Sequence, residues 1–371
     1  MFKSLNIAPK PRVALVHDYL NQFGGAERVL QVLSEMFPEA PIYTLFADPK
    51  ILNKHFPGKD VRTSFLDNRV VWKNHRKFIP IMPFAAASID LGNNYDIIIT
   101  NAASFARGVR HSSGRHISYV NAMMRYAWEP ETHLPNFFPA MAMPFVRPIA
   151  EALREWDIST TEKADLMLTN STFMARKIAE NYFRRAEVVS PPVDQNIFYL
   201  DESVRKHNYY LAFGRIITYK RFDLIVEAFN ILKKPLLIVG DGPEARSVME
   251  KIRSKHIRWV RRVGDAHLRG LINGAKAVIF PQEEEFGLVA AETVSCGTPL
   301  VSYSRGGSED IVKDGLNGIT FDEQSPEAIA DAVRAIETMY FDRRAIAENA
   351  KKFSKENFQN KFMSAVSKVV R

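Results

Sequence analysis

Cysteine is almost absent. The 371 residues hold one, Cys296, so no internal disulfide framework is available and a reducing compartment is expected. No run approaches the ~18 uninterrupted apolar residues of a membrane helix. The opening stretch, MFKSLNIAPKPR, lacks the apolar core of a secretory signal. A cytoplasmic location is the expectation, at most peripheral on the inner face of the membrane. No cluster of histidine, cysteine and carboxylate has metal-ligand spacing, so neither metal nor cofactor is expected. No GxGxxG fingerprint and no nucleic-acid motif is present, and nucleic acid is not an expected partner. Acidic residues are the minority, 42 against 50 basic ones, for a net charge of +8. That balance suits an anionic partner such as a phosphorylated ligand or an acidic membrane surface.

What is there is ordinary globular composition, 46% hydrophobic and 25% charged, with apolar material for two cores at this length. The most informative stretch is Pro281 to Gly297, PQEEEFGLVAAETVSCG. An apolar run, Ala277 to Phe280, reads as a buried strand, and Pro281 ends it by removing a ladder donor. Glu283, Glu284 and Glu285 then crowd one loop, and Val289 to Ser295 has helical composition. Glu284 stands at the carboxyl end of a strand, and Glu292 about two turns into the next helix. Three acids in a row are commonly no more than a solvated loop. Here the helix opening also aims free N–H groups and a positive dipole end at the same place. Carboxylates accept from hydroxyls and helix starts favour phosphate, so a ligand with both, a sugar nucleotide, fits. Cys296 lies beside Gly297 and Pro299, which favours small-residue packing over a nucleophile.

Taken in order, the chain alternates strands and helices. Arg12 to His17 reads as a strand, the loop after it ends in Gly24-Gly25, and Ala26 to Phe37 reads as a helix. Paired glycines let backbone amides approach a phosphate, or simply make a tight turn. Pro41–Phe46, Asp96–Thr100, His116–Val120 and Ala164–Asn170 read as further strands, and Ser171 as the cap of a helix to about Asn181. Val61 to Pro83 mixes Arg69, Lys73, Arg76 and Lys77 with bulky apolar residues. That mixture suits a helix on an anionic membrane surface, or an ordinary surface helix with one buried face. Leu134 to Phe145 is apolar and proline-containing, a loop or broken helix suited to a greasy ligand. The proline-rich Val188–Asp194 reads as a linker. A second alternating series follows: strands at Tyr209–Phe213, Pro235–Val239, Ile257–Val263, Pro299–Tyr303 and Gly318–Phe321; helices at Phe222–Leu232, Glu244–Ser254 and Leu268–Ala275; and a helix from Pro326 capped by Ser325. Two such series imply two doubly wound α/β domains with parallel sheets, and ligands at the carboxyl ends of the strands. The expected division is 1–190 and 191–352, with a last helix at about 353–371 packing back on the first domain. Arg215 and Lys220 share one such loop and offer two cations to a diphosphate.

The pieces HDYLNQFGGAERVL, PIYTLF, RYAW, NST, PPVD, GRIITYKRFDLIVEAF, VGDGPE, EEEFGLVAAETVSCGTPLV and RGGSEDIV span nearly the whole chain. Together they resemble the retaining glycosyltransferases of the two-Rossmann (GT-B) type with the glutamate–seven–glutamate motif, glycosyltransferase family 4. Within it the likeness is to bacterial mannosyltransferases of O-antigen and exopolysaccharide synthesis. The resemblance implies two domains facing a cleft, and transfer of mannose from GDP-mannose to a lipid-linked or oligosaccharide acceptor. It places Gly25, Arg215 and Lys220 by the donor diphosphate and Glu284 on the sugar hydroxyls. Glu292 falls on the ribose, the backbone of Phe286, Gly287 and Leu288 on sugar and phosphates, and Val263 and Gly264 near the base. Gly240 and Gly307 line the donor site. Asn121 stands where the family usually has a histidine, and asparagine donates a hydrogen bond but does not titrate. Glu285 replaces a glycine, and Asp310 a glutamate. The implied reaction has an oxocarbenium-like transition state, with attack on the face the nucleoside diphosphate leaves. No carboxylate stands as a covalent nucleophile, unlike retaining glycosidases.

Overall fold

Why each domain is a parallel sheet shows in its central strands. The computed structural model describes residues 11–130 and 143–370. The stretch Leu134 to Phe145, read as a greasy loop, falls almost wholly outside the described residues and their side chains. β1 (Val13–His17) and β4 (Ile97–Ala102) are buried at every position. A strand covered on both faces reads as a continuous apolar run, as parallel strands under helices do. Both belong to a seven-stranded sheet with β2 (Ile42–Thr44), β3 (Val61–Thr63), β5 (Arg115–Val120), β6 (Leu166–Thr169) and β7 (Glu187–Val188), in the order β3-β2-β1-β4-β5-β6-β7. β1 pairs in parallel with β4 at Val13↔Ile97 and with β2 at Leu15↔Ile42.

The second sheet has six strands: β8 (Tyr210–Phe213), β9 (Leu236–Val239), β10 (Ile257–Val260), β11 (Val278–Phe280), β12 (Leu300–Tyr303) and β13 (Gly318–Phe321). Their order is β10-β9-β8-β11-β12-β13, again all parallel. Each sheet reverses strand order once, between β1 and β4 in the first and β8 and β11 in the second. Loops leaving such a pair diverge and open a crevice at their carboxyl ends. Two apolar clusters flank the second sheet. One is built on Phe222, Ile225, Phe229, Ile329 and Val333, the other on Leu211, Phe280, Val294 and Ile346.

The chain forms two compact units. One holds the described residues to Asn170, Ala175–Val189, and those from Gln359 on; the other holds Ser171–Met174 and Ser190–Phe358. The proline-rich segment at the start of Ser190–Phe358 is packed. Pro191, Pro192 and Val193 are buried, and the Val193 N–H donates to Phe353 O at 2.9 Å.

Several boundaries depart from the sequence reading. Val61–Thr63 is an edge strand on β2, and the helical run that follows is broken into Arg69–Asn74, a tighter turn at His75–Ile81, and Met82–Ser88. Asn68 starts the run by accepting from the Val70 and Val71 N–H groups, while Pro80 lacks the donor an α-helix needs. The helix read over Glu244–Ser254 is only Ala245–Met249, and its neighbour, Asp265–Gly274, starts three residues earlier than read and ends one earlier. Between them, the strand read to Val263 stops at Val260, leaving Val263 and Gly264 in a loop.

Candidate donor site on the second unit

Four loops meet at the carboxyl ends of β8, β9, β11 and β12, and close approaches show it. A Cβ on Gly214, just after β8, would lie 3.7 Å from Lys220 Nζ and 3.8 Å from Val289 Cγ2. One on Gly240, at the end of β9, would fall 2.1 Å from Gly214 O, and one on Gly242 2.2 Å from Ile216 O. On the other flank a Cβ on Gly307 would fall 2.3 Å from Phe286 Cα, and the Gly307 N–H donates to Glu284 O at 2.7 Å. The loop after β12 is therefore laid directly on the glutamate loop.

Lys220 ends a short turn, Thr218–Lys220, closed by Arg221 in the left-handed region at φ +51°. A non-glycine residue there carries strain, held by what surrounds it. Its Nζ stands 2.6 Å from Glu284 Oε1, with the two side chains 11% and 12% exposed. Burial alone would lower the Lys220 pKa. The charge of Glu284 more than offsets it, with Tyr219 and Glu292 adding, and the pKa is raised. Glu292 is buried on the helix Leu288–Ser295, and Gly287 precedes that helix at φ +90°. The Phe286 ring turns inward, edge-on to Phe353 at 5.6 Å. That leaves the backbone at Phe286, Gly287 and Leu288 facing the loops. Arg215 is exposed and makes no hydrogen bond or ion pair among the described residues.

The structure thus brings Arg215, Lys220, Gly240, Glu284, Phe286, Gly287, Leu288, Glu292 and Gly307 to one end of one sheet. Val263 and Gly264 stand beyond β10, the edge strand, two strands from β8. Asp310 neither caps the turn that follows it nor stands free; its Oδ2 accepts from the Thr172 N–H at 2.7 Å.

Gly25 and Asn121 belong to the first unit. Gly25 opens the helix Gly25–Met36, and Glu27 Oε2 accepts from the Gly24 N–H at 2.8 Å, so that amide is already used. Asn121 Nδ2 donates to Asn101 Oδ1 at 2.6 Å, and Asn170 Nδ2 donates to Asn121 O at 2.7 Å. Asn101 also donates to Ala26 O at 2.7 Å, and His17 Nδ1 contacts Asn101 O at 2.8 Å. His17 Nε2 faces Glu27 Oε1 at 3.6 Å. Burial pulls the His17 pKa down, but Glu27, then Asp18, outweigh it, and it is raised. Asp18, at the reversal between β1 and β4, accepts from the N–H groups of Ala103, Ser104 and Ala106. His17, Asp18, Glu27 and Asn101 went unassigned in the sequence reading. The position of His17, Asp18 and Asn101 at the ends of β1 and β4, and of Glu27 in the first turn of the helix after β1, was the signal that could have found them. Among the described residues, no group of three or more His, Cys, Asp or Glu side chains could hold a metal ion. No helix among them is long and apolar enough to cross a membrane.

Residues 200–353, about two fifths of the chain, match the family described as Glycosyl transferases group 1. The match falls wholly within the second unit. An uncharacterized glycosyltransferase of Methanocaldococcus jannaschii is 25% identical over 213 residues, covering 56% of this chain and 60% of the relative. A D-inositol 3-phosphate glycosyltransferase of a Nocardioides species is 29% identical over 237 residues, covering 53% and 52%. The chain thus spans between half and three fifths of the length of these relatives. The crystal structure of Anabaena HepE with UDP and glucose superposes with a TM-score of 0.68 at 17% identity, over 96% of this chain and all of that one. The fold is the GT-B glycosyltransferase fold, with a Rossmann-like parallel sheet in each unit.

Proposed function

We propose that this chain moves a hexose from a nucleotide sugar to a lipid-linked or oligosaccharide acceptor, with retention of configuration. The observation that carries the reading is the largely buried Lys220–Glu284 pair, with Glu292 behind it, where the second sheet reverses within the stretch that matches the group 1 family. Arg215 and Lys220 would take the diphosphate, Glu284 the sugar hydroxyls, and Glu292 the ribose. Charge growing on the departing diphosphate would meet both cations and the start of the helix Leu288–Ser295. One well-placed donor of this kind is worth roughly 3–4 kcal/mol. The leaving phosphate would take the acceptor's proton on the face it vacates.

Mannose from GDP-mannose is the first donor to test, on the motif resemblance, in bacterial surface polysaccharide synthesis. UDP- and dTDP-sugars are the alternatives, and the UDP and glucose bound to HepE favour including them. A thermal-shift screen across the three nucleotide classes selects the donor, and labelled donor with a lipid-linked acceptor then tests transfer. Glu284→Ala is expected to cut transfer at least a hundredfold with the fold intact, and Glu283→Ala less than about threefold, because Glu283 is exposed and outside the pair. Equal losses would move the motif off Glu284. Donor binding without transfer would instead favour a sugar-nucleotide-binding subunit, a role in keeping with Asn121 in place of a titrating group.

The acceptor side of the proposal includes an anionic membrane surface. From Asn68 to Ile89 the chain has no acidic residue. Arg69, Lys73, Arg76 and Lys77 are exposed there beside Val70, Ile81 and Phe84, the last 71% exposed. Basic charge beside exposed apolar groups is what an acidic interface selects. Co-flotation with vesicles containing phosphatidylglycerol, lost with neutral vesicles or in high salt, is the expected result.

A further inference from the structure

The two candidate diphosphate cations are not equivalent. Arg215 is exposed and unpaired among the described residues. Lys220 is already neutralised, at 2.6 Å, by Glu284. Under the proposed function that carboxylate is also the group meant for the sugar hydroxyls. A complete donor therefore has to divide a pair that the protein has made for itself.

Resting on that reading, we infer that Lys220 and Glu284 form an exchange lock that tells the sugar-bearing donor from its nucleoside diphosphate product. With the site empty, each side chain satisfies the other. An intact nucleotide sugar separates them at little cost, because it brings a substitute for each: phosphate oxygens for the ammonium, and hydroxyl donors for the carboxylate. A nucleoside diphosphate brings only the first. It leaves Glu284 ionised, 12% exposed and facing a second anion. An ionised group stranded at that depth is expensive, whereas one re-paired is not. Transfer removes the sugar, and with it the substitute partner of Glu284. The pair then reforms and the diphosphate is displaced. Gly307 braces the arrangement, since its N–H holds Glu284 O at 2.7 Å and keeps the carboxylate's backbone in place through the exchange.

The test uses the full chain and inorganic pyrophosphate, which carries the shared chemistry without base or sugar, followed by GDP and UDP. Glu284→Gln keeps shape and hydrogen bonding but releases Lys220. It is expected to bind pyrophosphate and the nucleoside diphosphates at least tenfold more tightly than the unmodified protein in titration calorimetry. Glu283→Gln removes an equal charge from an exposed neighbour and is expected to change the affinity less than threefold. On a Lys220→Met background the gain from Glu284→Gln should vanish, which reports the pair itself. An affinity for Glu284→Gln no higher than that of the unmodified protein overturns the lock, as does an equal gain from Glu283→Gln. The two readings fail separately. A tighter Glu284→Gln with no sugar transfer by the unmodified protein sinks the transferase reading alone, and transfer without the gain sinks the lock alone.

Discussion

Gly240, Gly242 and Gly264 are alike in sequence and unlike in surroundings. A methyl on either of the first two would run into a carbonyl of the loop after β8, at 2.1 and 2.2 Å, whereas Gly264 has nothing within 4 Å. Backbone cannot swing aside, so Gly240→Ala and Gly242→Ala are each expected to cost about 1–3 kcal/mol in urea unfolding, and Gly264→Ala less than about 0.5. His116 offers a second test. Burial first, then the charges of His111 and Arg107, push its pKa down to about 3. The unfolded chain then takes the proton first. Stability should fall as pH drops from about 6.5 toward 3, by up to ~1.4 kcal/mol per pH unit. His116→Gln should flatten that slope. The difference between the two proteins carries the test, because His17, whose pKa is raised, contributes with the opposite sign, below 6.5 and fading as pH rises. At this scale the sequence was legible where charge sat in a loop after a strand: Glu284 and Lys220 do meet. It was silent on Gly242, whose role lies in the Ile216 carbonyl that passes beneath it, and on His17 and Glu27, ten residues apart and joined only by the fold.

Elements with a long apolar period could be read almost to the residue. Phe222–Leu232 appears with the boundaries its pattern suggests. Those that failed were short or interrupted. Val61–Thr63 is too brief to show alternation, and it is a strand only because β2 lies beside it. The stretch after Asn68 has helical content in three pieces, a product of Pro80 and Pro83 rather than of its apolar pattern. Asn68 is therefore worth removing. Asn68→Ala leaves the Val70 and Val71 N–H groups without their acceptor. It should lower stability by about 1 kcal/mol and weaken binding to acidic vesicles, read by flotation, while leaving pyrophosphate binding unchanged.

For the whole molecule, the arithmetic of length and alternation was enough to give two parallel sheets, because each needs its own covered faces. The units keep separate apolar clusters, one around Phe46, Met82 and Phe105 and another around Phe222, Phe229 and Val333. Calorimetry is expected to resolve two unfolding transitions. A nucleotide at a hundred times its dissociation constant should stabilise one of them by about 2.7 kcal/mol and leave the other in place. The single cysteine gives that experiment a chemical counterpart. Cys296 closes the helix that carries Glu292, is fully buried, and has its thiol pushed up to about 12 by burial and then by Glu292. A maleimide at neutral pH therefore meets an unreactive sulfur until this unit opens, and the rate of that one alkylation becomes a clock for its breathing, slowed by whatever ligand the site prefers.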